Sequence, residues 1–396
     1  MIAGAGIGGL TTALALAREG FRVTLFDQME KLEEAGAGIQ LAPNATRILA
    51  ALGLAERLNA MIVQPAAIRL RSGRSGREIA TMRLDSATLH RYGAPYWVIH
   101  RADLQKALIE AIAGEPRVSL MLGATVANFA IDPVGVRATV HRGGAKQTQA
   151  DYSGAALIGA DGLWSRLRAL LGDGSAPRFA GRGAFRAIIP AAQLSPEDRG
   201  PIVNMWIGPD GHLVHYPIRA GAAVNIVAVC GDRSQSSAWS TSAGRDEVLE
   251  RFPAAAWAPA ARELLATPER WQKWALYDRR PSTAWGRGPV TLLGDAAHPM
   301  LPFLAQGAAM AIEDASILAR ELGRELARSS GDHIAALRAY EATRGPRTAR
   351  VQRASRRNDF HFHLRQPAAF VRDAALRALG SERLLARYDW IYQWQP

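Results

Sequence analysis

The stretch Gly4-Ala5-Gly6-Ile7-Gly8-Gly9 reads G-x-G-x-x-G, and its reading sets the fold. Gly4 permits a tight turn, Gly6 lets backbone approach a pyrophosphate, and Gly9 allows a helix to pack closely on a strand. Met1 to Ala3 stand before it as a short first strand. They carry no charged leader region and do not read as a signal peptide. Leu10 to Glu19 follow as a helix whose positive N-terminal end faces the phosphates, and Gly20 ends it. Phe21 to Phe26 (FRVTLF) is the second strand. Asp27 closes it, 23 residues after Gly4, where a carboxylate accepts hydrogen bonds from a ribose diol. A glycine turn alone is a weak signal. Strand, turn, helix, strand and acid in register specify a dinucleotide-binding βαβ unit, against the alternative of a purely structural turn.

Two further strand ends repeat the theme. Leu157-Ile158-Gly159-Ala160-Asp161-Gly162 is a buried strand entering an acidic turn, with a helix predicted over Leu163 to Leu171. Asp161 either orders a pyrophosphate loop or makes an Asx-type turn that caps the helix; the residues alone leave both open. Val290 to Pro299 (VTLLGDAAHP) is a third such strand, and Gln306 to Asp314 begins a long helix. Asp295 is placed to bind a polyol chain. The Gly307 and Ala308 amides are placed to face a developing anion.

These residues together carry a resemblance. GAGIGG, HRADLQ (His100 to Gln105), GADG, and GDAAHP with AQGAAMAIEDA occur in an order and spacing similar to the single-component FAD-dependent aromatic hydroxylases, most of all the salicylate and 3-hydroxybenzoate hydroxylase group. The resemblance covers nearly the whole chain. It implies an α/β fold: a Rossmann-like FAD-binding domain of the glutathione-reductase type, interrupted by a mixed β-sheet substrate domain, with a C-terminal helical tail. The expected division is 1–66, 98–175 and 286–355 for FAD, 67–97 and 176–285 for substrate, and 356–396 for the tail. It implies bound FAD, with NADH or NADPH as transient cosubstrate, and O2 used through a C4a-hydroperoxyflavin to hydroxylate a phenolic acid.

By position, the resemblance assigns Gly4, Gly6, Gly9 and Asp27 to the adenosine and pyrophosphate end of FAD, and Arg101, with Gln105, to its phosphate and ribityl region. It assigns Asp161 to the loop serving FAD and the nicotinamide nucleotide, Asp295 to the ribityl chain, and Gly307 and Ala308 to the pyrimidine edge. A helix N-terminus there favours the reduced, anionic flavin. The loop Ala35 to Leu41 resembles the segment flanking the isoalloxazine, with Gln40 beside the ring. Relatives acting on pyridines tend to carry His there, so Gln40 points to benzenoid substrates. Relatives acting on 3-hydroxybenzoate have Gln-Tyr where this chain has Pro302-Phe303, a departure that removes one polar contact and leaves a more apolar pocket.

The substrate region reads as an antiparallel sheet. Arg178 to Ile189, Ile202 to Ile207, His212 to Ile218 and Ala222 to Val229 are predicted strands, and Pro209 to His212 (PDGH) is a hairpin signal. In His212 to Tyr216 (HLVHY), period two puts His212, Val214 and Tyr216 on one face and Leu213 and His215 on the other. His212 and Tyr216 are the candidates to hydrogen-bond a phenolic oxygen and favour the phenolate, with His215 in reserve; the alternative is that both are half-buried sheet residues. Pro299 is the third candidate at the catalytic centre. Trp271, Trp274, Tyr277, Trp285 and Phe303 are candidates to line the pocket, although most aromatics at such spacings are core. Arg186 and Arg219 are candidates for a substrate carboxylate, with surface or structural roles the default.

Composition bounds the rest. The 396 residues suit two or three domains, and 48% hydrophobic with 21% charged residues builds a core. No run nears the ~18 apolar residues of a membrane span. One cysteine, Cys230, excludes disulfide scaffolds and multi-Cys metal sites and fits a cytoplasmic location. The net charge of +12 rests on Arg, with only four Lys, and no aromatic-basic reading module accompanies it, so no nucleic-acid partner is expected. Arg344, Arg347, Arg350, Arg353 and Arg357 fall three or four apart, as on a solvated helix face. His361 and His363 lie two apart, off a common helix face, and no metal site is read. Trp390, Tyr392 and Trp394 read as packing on the body or on the second subunit of a homodimer. The remaining alternatives are a flavin epoxidase or natural-product monooxygenase, which would share every FAD motif, a nicotinamide-only dehydrogenase, and an FAD-binding protein without hydroxylase activity. A flavin halogenase is disfavoured, since no W-x-W-x-I-P run occurs.

Overall fold

In the computed structural model, which describes residues 1–32, 37–143, 148–232, 240–328 and 332–396, the glycine turn opens its helix early. The helix spans Ile7–Arg18, three residues ahead of the sequence expectation, with Gly6 as its N-cap. Sterics explain the glycines. Gly4 has φ +105°, a conformation L-residues avoid, and a Cβ at Gly9 would stand 1.8 Å from the Gly4 carbonyl oxygen. The second strand is shorter than expected, Val23–Phe26, because the Phe21 amide is taken by the Leu16 carbonyl in closing the helix end.

Five parallel strands form the central sheet, in the order Val290–Leu292, Leu157–Gly159, Ile2–Ala3, Val23–Phe26, Val118–Met121. Ile2–Ala3 is only a two-residue strand, yet it lies mid-sheet. A three-stranded antiparallel sheet of Ala124–Asp132, Gly135–Arg142 and Thr148–Gly154 adjoins it. The helix predicted over Leu163 to Leu171 is confined to Arg166–Leu170, with Ser165 Oγ capping the Arg168 amide.

The second large sheet has eight strands and is mixed. Its core is the antiparallel run Arg178–Pro190, Ala223–Gly231, Gly211–Ile218, Ile202–Gly208, and Ala67–Ser72 pairs parallel with the last of these. The hairpin falls at Asp210, which has φ +62°. One face of this sheet packs on its own core of Trp206, Leu213, Phe252, Trp257 and Trp271. The other turns toward the parallel sheet. A small ribbon, Gly38–Leu41 against Trp97–His100, bridges the two, and the Gly38 amide donates to Asn225 Oδ1 at 2.7 Å.

Two long helices, Gly307–Arg328 and His333–Phe362, then lie against each other, and the first of them also packs on the Ile7–Arg18 helix. Here the arginine reading needs correction. Arg350, Arg353 and Arg357 are exposed, but Arg344 is fully buried and Arg347 half-buried. They are drawn in by Glu313 and Asp314, adjacent acids buried on the facing helix. Arg344 Nε donates to Asp314 Oδ1 at 2.6 Å and its Nη1 donates to Glu313 Oε2. Arg347 makes a two-pronged contact with Glu313, 2.6 and 2.7 Å.

The tail continues as helices Ala368–Ala386 and Asp389–Tyr392 and returns to the body. The Trp394 carbonyl accepts from Arg47, and its ring lies under the Arg344 and Arg347 guanidinium groups. No helix among the described residues is long and apolar enough to cross a membrane.

Arg344→Met leaves two buried carboxylates short of a partner, and we expect it to cost about 3–5 kcal/mol in urea unfolding at pH 7. Burial pushes the Asp314 carboxyl up, but His298 and Arg344 outweigh it and hold the pKa at about 2. That stabilisation is complete above the unfolded value, about pH 4, and is lost as pH falls toward 2. The difference between wild type and variant therefore narrows below pH 4. A gap independent of pH would show that Asp314 is not the group being held.

Candidate active site

Three loops converge on one cavity of about 340 Å³, walled by Gly6, Ile7 and Gly8 from the glycine turn, Ala160 and Gly162 from the second strand end, and Gly294, Asp295, Gly307 and Ala308 from the third. All three belong to adjacent strands of the parallel sheet or to the helix that follows, which is why distant sequence segments meet there. Three glycines bare their backbone to the space. A Cβ built on Gly6, Gly162 or Gly307 meets no atom within 4 Å.

Two side chains anchor the turn from behind. Asp27 Oδ2 accepts from the Ala5 amide at 2.7 Å and Oδ1 from the Met29 amide at 2.8 Å, which pins the turn against the second strand end. Gln105 is buried behind the turn and donates to the Ala5 carbonyl at 3.3 Å, so it shapes the loop and does not line the cavity. Arg101, the first residue of the helix Arg101–Ala113, does line it. The two readings of Asp161 converge on capping: it accepts from Ser165 Oγ at 2.6 Å and the Leu167 amide at 3.0 Å, while its neighbours Ala160 and Gly162 wall the cavity. Burial raises its pKa against those hydrogen bonds.

The third loop is held from beneath. Asp314 Oδ2 accepts from the Gly294 amide at 3.0 Å and lies 2.5 Å from His298 Nε2. Glu313 accepts from Asn44 Nδ2 at 2.6 Å, and the same amide nitrogen donates to Gln306 Oε1 at 3.0 Å. Asp295 opens onto the cavity, yet the enclosing walls raise its pKa, opposed by His298 and Arg101. Pro299 is buried off the cavity, its carbonyl accepting from Gln352 Nε2 at 2.8 Å, and it touches neither cavity described here.

The opposite wall comes from the eight-stranded sheet. His212, Val214 and Tyr216 face the cavity together, joined by Arg186, Val227 and Val229 from neighbouring strands. Leu213 and His215 lie on the other face, where burial brings the His215 pKa down to about 3. Gln40 stands between the walls. Its Oε1 accepts from the Tyr96 hydroxyl at 2.7 Å, and its side chain lies beside Tyr216. Ala35 and Gly36 of the same predicted loop lie outside the described residues. Burial raises the Tyr96 and Tyr216 pKa values, keeping both phenols protonated donors. Burial also depresses His212 well below its usual value, with His363 and Arg182 adding to the effect.

A second, more apolar cavity of about 400 Å³ shares Gln40, His212, Val214, Pro302 and Ala305 with the first. It runs between the sheet and the C-terminal helices, past Met82, Tyr96, Phe303, Leu376 and Tyr388. Of the aromatics proposed as lining, Phe303 lies here. Trp271 and Trp285 do not: the first sits in the core behind the sheet, and the second packs on His298 and Tyr340. Trp274 and Tyr277 line neither cavity; Trp274 lies under Arg186, and Tyr277 meets Trp164 and Phe179. Arg219 is exposed in a turn, away from both cavities. Among the described residues no His, Cys, Asp and Glu cluster could hold a metal ion. Sequence reasoning missed Tyr96, Tyr388 and His363; for Tyr96 the only signal was period two along Tyr96, Val98 and His100.

The cradle of bare glycine backbone, helix N-terminus and cavity carboxylate fits a flavin dinucleotide. A family model described as an FAD binding domain matches residues 1–355. The class is thus that of FAD-binding flavoproteins. Over 394 residues the chain is 40% identical to 3-hydroxybenzoate 6-hydroxylase 1 of Aquipseudomonas alcaligenes, covering 99% of this chain and 96% of the relative. It is 38% identical over 395 residues to a 3-amino-4-hydroxybenzoate 2-monooxygenase of Streptomyces platensis, covering 99% and 94%. Among solved structures it matches a salicylate hydroxylase substrate complex with a TM-score of 0.81 and 28% identity, covering 100% of this chain and 95% of that one. The chain belongs to the single-component FAD-dependent aromatic hydroxylases, and it is an FAD-dependent monooxygenase that uses NAD(P)H and O2 on an aromatic substrate.

The two glycine roles separate experimentally. Gly9→Ala forces a collision with the Gly4 carbonyl, and we expect a lower melting temperature even without FAD. Gly6→Ala meets open space, so it folds as wild type but loses FAD affinity, read as the ratio of flavin to protein absorbance. Equal melting losses in both apoproteins would remove this distinction.

Proposed function

We propose that the chain hydroxylates a hydroxybenzoate, para or ortho to its phenolic hydroxyl, with His212 as the base at that hydroxyl and Tyr216 as the hydrogen-bond donor beside it. One observation carries the reading: His212, Val214 and Tyr216 face the same cavity as Gly6, Asp295, Gly307 and Ala308. A ring bound there lies between the phenol-facing wall and the flavin cradle. The 40% identity to a 3-hydroxybenzoate 6-hydroxylase supports a meta-hydroxybenzoate as first candidate.

FAD, when bound, supplies the oxygen-transfer chemistry, and NADH or NADPH supplies its electrons. The chain does the rest. The glycine-turn amides and the Ile7–Arg18 helix would hold the pyrophosphate, and Asp27, Arg101 and Asp295 would hold the ribose, phosphate and ribityl groups. The Gly307 and Ala308 amides, at a helix start, favour negative charge on the neighbouring ring edge. Arg186 is a cation on the cavity wall with its Nε unpaired among the described residues, and it takes the substrate carboxylate. His212, buried and neutral, accepts the phenolic proton and so makes the ring a better nucleophile. Phe303, Val214 and the apolar second cavity keep water from the reacting centre. The segments 1–66, 98–175 and 286–355 serve the cofactor and 67–97 with 176–285 the substrate. Cytoplasmic location is supported by the single buried Cys230, and a homodimer is the assembly to test by sedimentation.

The test follows NADH consumption by the purified flavoprotein with a panel of hydroxybenzoates, hydrogen peroxide being measured in parallel. We expect one phenolic acid to accelerate NADH loss with little peroxide. His212→Ala should retain FAD and lower coupled product formation at pH 7 by about 100-fold, the scale of a lost general base. If every benzoate yields only peroxide, the substrate class is wrong, and the epoxidase or natural-product reading takes its place. A wild-type yield from His212→Ala removes its role.

A further inference from the structure

The ring of His212 does not end the polar path that begins at the cavity. Its Nδ1 lies 2.8 Å from His363 Nε2, and the two rings are nearly parallel, 27° apart. His363 is the residue after the last turn of the His333–Phe362 helix. One turn back on that helix, Asp359 Oδ1 stands 3.0 Å from His363 Nδ1 and also accepts from Arg182 Nε at 3.0 Å. Both imidazoles are buried, whereas the Asp359 side chain is 25% exposed, so the path starts in the cavity and ends at solvent. Phe303 and Phe362 meet the His212 ring edge-on and close its sides.

We infer that His363 and Asp359 are positioning residues for His212, fixing which of its nitrogens faces the cavity as a base and carrying the phenolic proton outward. The inference rests on the reading of His212 given above.

The tautomers follow from donor and acceptor arithmetic. Asp359 stands at ion-pair distance from His363 Nδ1 without a formed hydrogen bond, and since a carboxylate only accepts, we assign the His363 hydrogen to Nδ1, on the side of Asp359. In neutral His363, Nε2 is then a lone pair, and His212 Nδ1 must donate to it. Neutral His212 therefore presents a bare Nε2 to the cavity. Neutrality of both rings follows from their surroundings. Burial lowers both pKa values, and Arg182 opposes a charge on either. Asp359 and Asp210 raise His363 in part, and Asp210 is itself paired with Arg365. The proton balance closes. The phenol O–H breaks and its proton bonds to His212 Nε2. The His212 Nδ1 proton passes to His363 Nε2, and the His363 Nδ1 proton passes to Asp359 and then water. Phenolate is left and both rings end neutral. When the product ring regains aromaticity its oxygen takes a proton back, which runs the path in reverse and restores both tautomers.

The test uses holoenzyme and the hydroxybenzoate that the panel selects. The ultraviolet difference spectrum of the bound phenol, titrated without NADH, reports its ionisation independently of turnover. We expect His363→Phe, which keeps a ring but cannot relay, to raise the bound phenol pKa by at least about one unit. Its kcat at pH 7 should fall about 10- to 100-fold, with KM little changed. The rate should recover as pH approaches the intrinsic phenol pKa, about 10. His363→Gln still accepts from His212 Nδ1, so it holds the ring while blocking relay; Asp359→Asn shifts the titration less than His363→Phe. FAD content and NADH reduction of the flavin confirm that each variant is folded. A loss of equal size at every pH, with the bound phenol pKa unmoved in the His363 and Asp359 variants, overturns the relay. If those variants titrate as wild type while His212→Ala abolishes phenolate formation, His212 stands as the base and the relay falls. If His212→Ala itself titrates as wild type, the failure lies in the His212 reading.

Discussion

Everything around the cavity hangs on two adjacent buried acids, Glu313 and Asp314, and the arginines that neutralise them. Desolvated carboxylates are tolerated only when each is paired in good geometry. Here the pairing does more than stabilise. Asp314 reaches the Gly294 amide and His298, so the third strand end cannot shift without breaking its bonds. Glu313 reaches Asn44, which in turn holds Gln306, the residue before the Gly307 helix begins. The helix N-terminus and the cavity carboxylate Asp295 are thereby locked in relative position. Arg344, which completes the cluster, sits on the same helix that ends at His363, about 28 Å further along at 1.5 Å per residue. One rigid element thus registers the cofactor side of the cavity with the substrate side.

The parts of this molecule that were legible in the sequence are those where backbone geometry admits few residue types. The turn at Gly4 to Gly9 needs a left-handed residue and a missing Cβ at fixed spacing, so sequence and conformation nearly determine each other. The strand His212 to Tyr216 was legible for a different reason, since period two decides which side chains share a face. What failed were inferences from residue type and local spacing alone. Arg344 and Arg347 share a three-or-four-residue spacing with Arg350, Arg353 and Arg357, which reads as one solvated helix face. The informative residues were their partners: Glu313 and Asp314 interrupt an apolar helical run, and only cations could let both be buried. Trp271 and Trp285 failed similarly, because an aromatic near a predicted pocket and an aromatic in a core look alike in sequence. In sequence, His363 stands out only as the neighbour two residues from His361. Its partner, His212, lies 151 residues away, a separation no local pattern encodes.

The two walls of the cavity use different materials, and this bears on specificity. The cofactor wall is largely backbone, so many side chains are compatible with it. The opposite wall is largely apolar, with Gln40, Tyr96, Tyr216, Arg186 and His212 among its polar groups, and a buried polar group left unpaired costs more than a missing apolar contact. Ring substituents that satisfy these groups should therefore decide which substrate is accepted.

Pro302-Phe303 sharpens the same argument. Pro302 lines both cavities, and the Phe303 ring stands 5.4 Å from His212. A polar pair there would offer His212 or the phenol another hydrogen-bond partner. Phenylalanine offers none, and it strips water from the imidazole. A drier ring is harder to protonate, the direction in which burial moves His212, so in the proposed mechanism the neutral ring holds a free lone pair for an incoming proton. The cost is that the cation formed by accepting that proton would be poorly tolerated in the same place. A base in so apolar a pocket functions only if the charge can leave as it arrives. Among the described residues, His363 lies within hydrogen-bond reach of His212, and beyond it the Asp359 side chain reaches solvent.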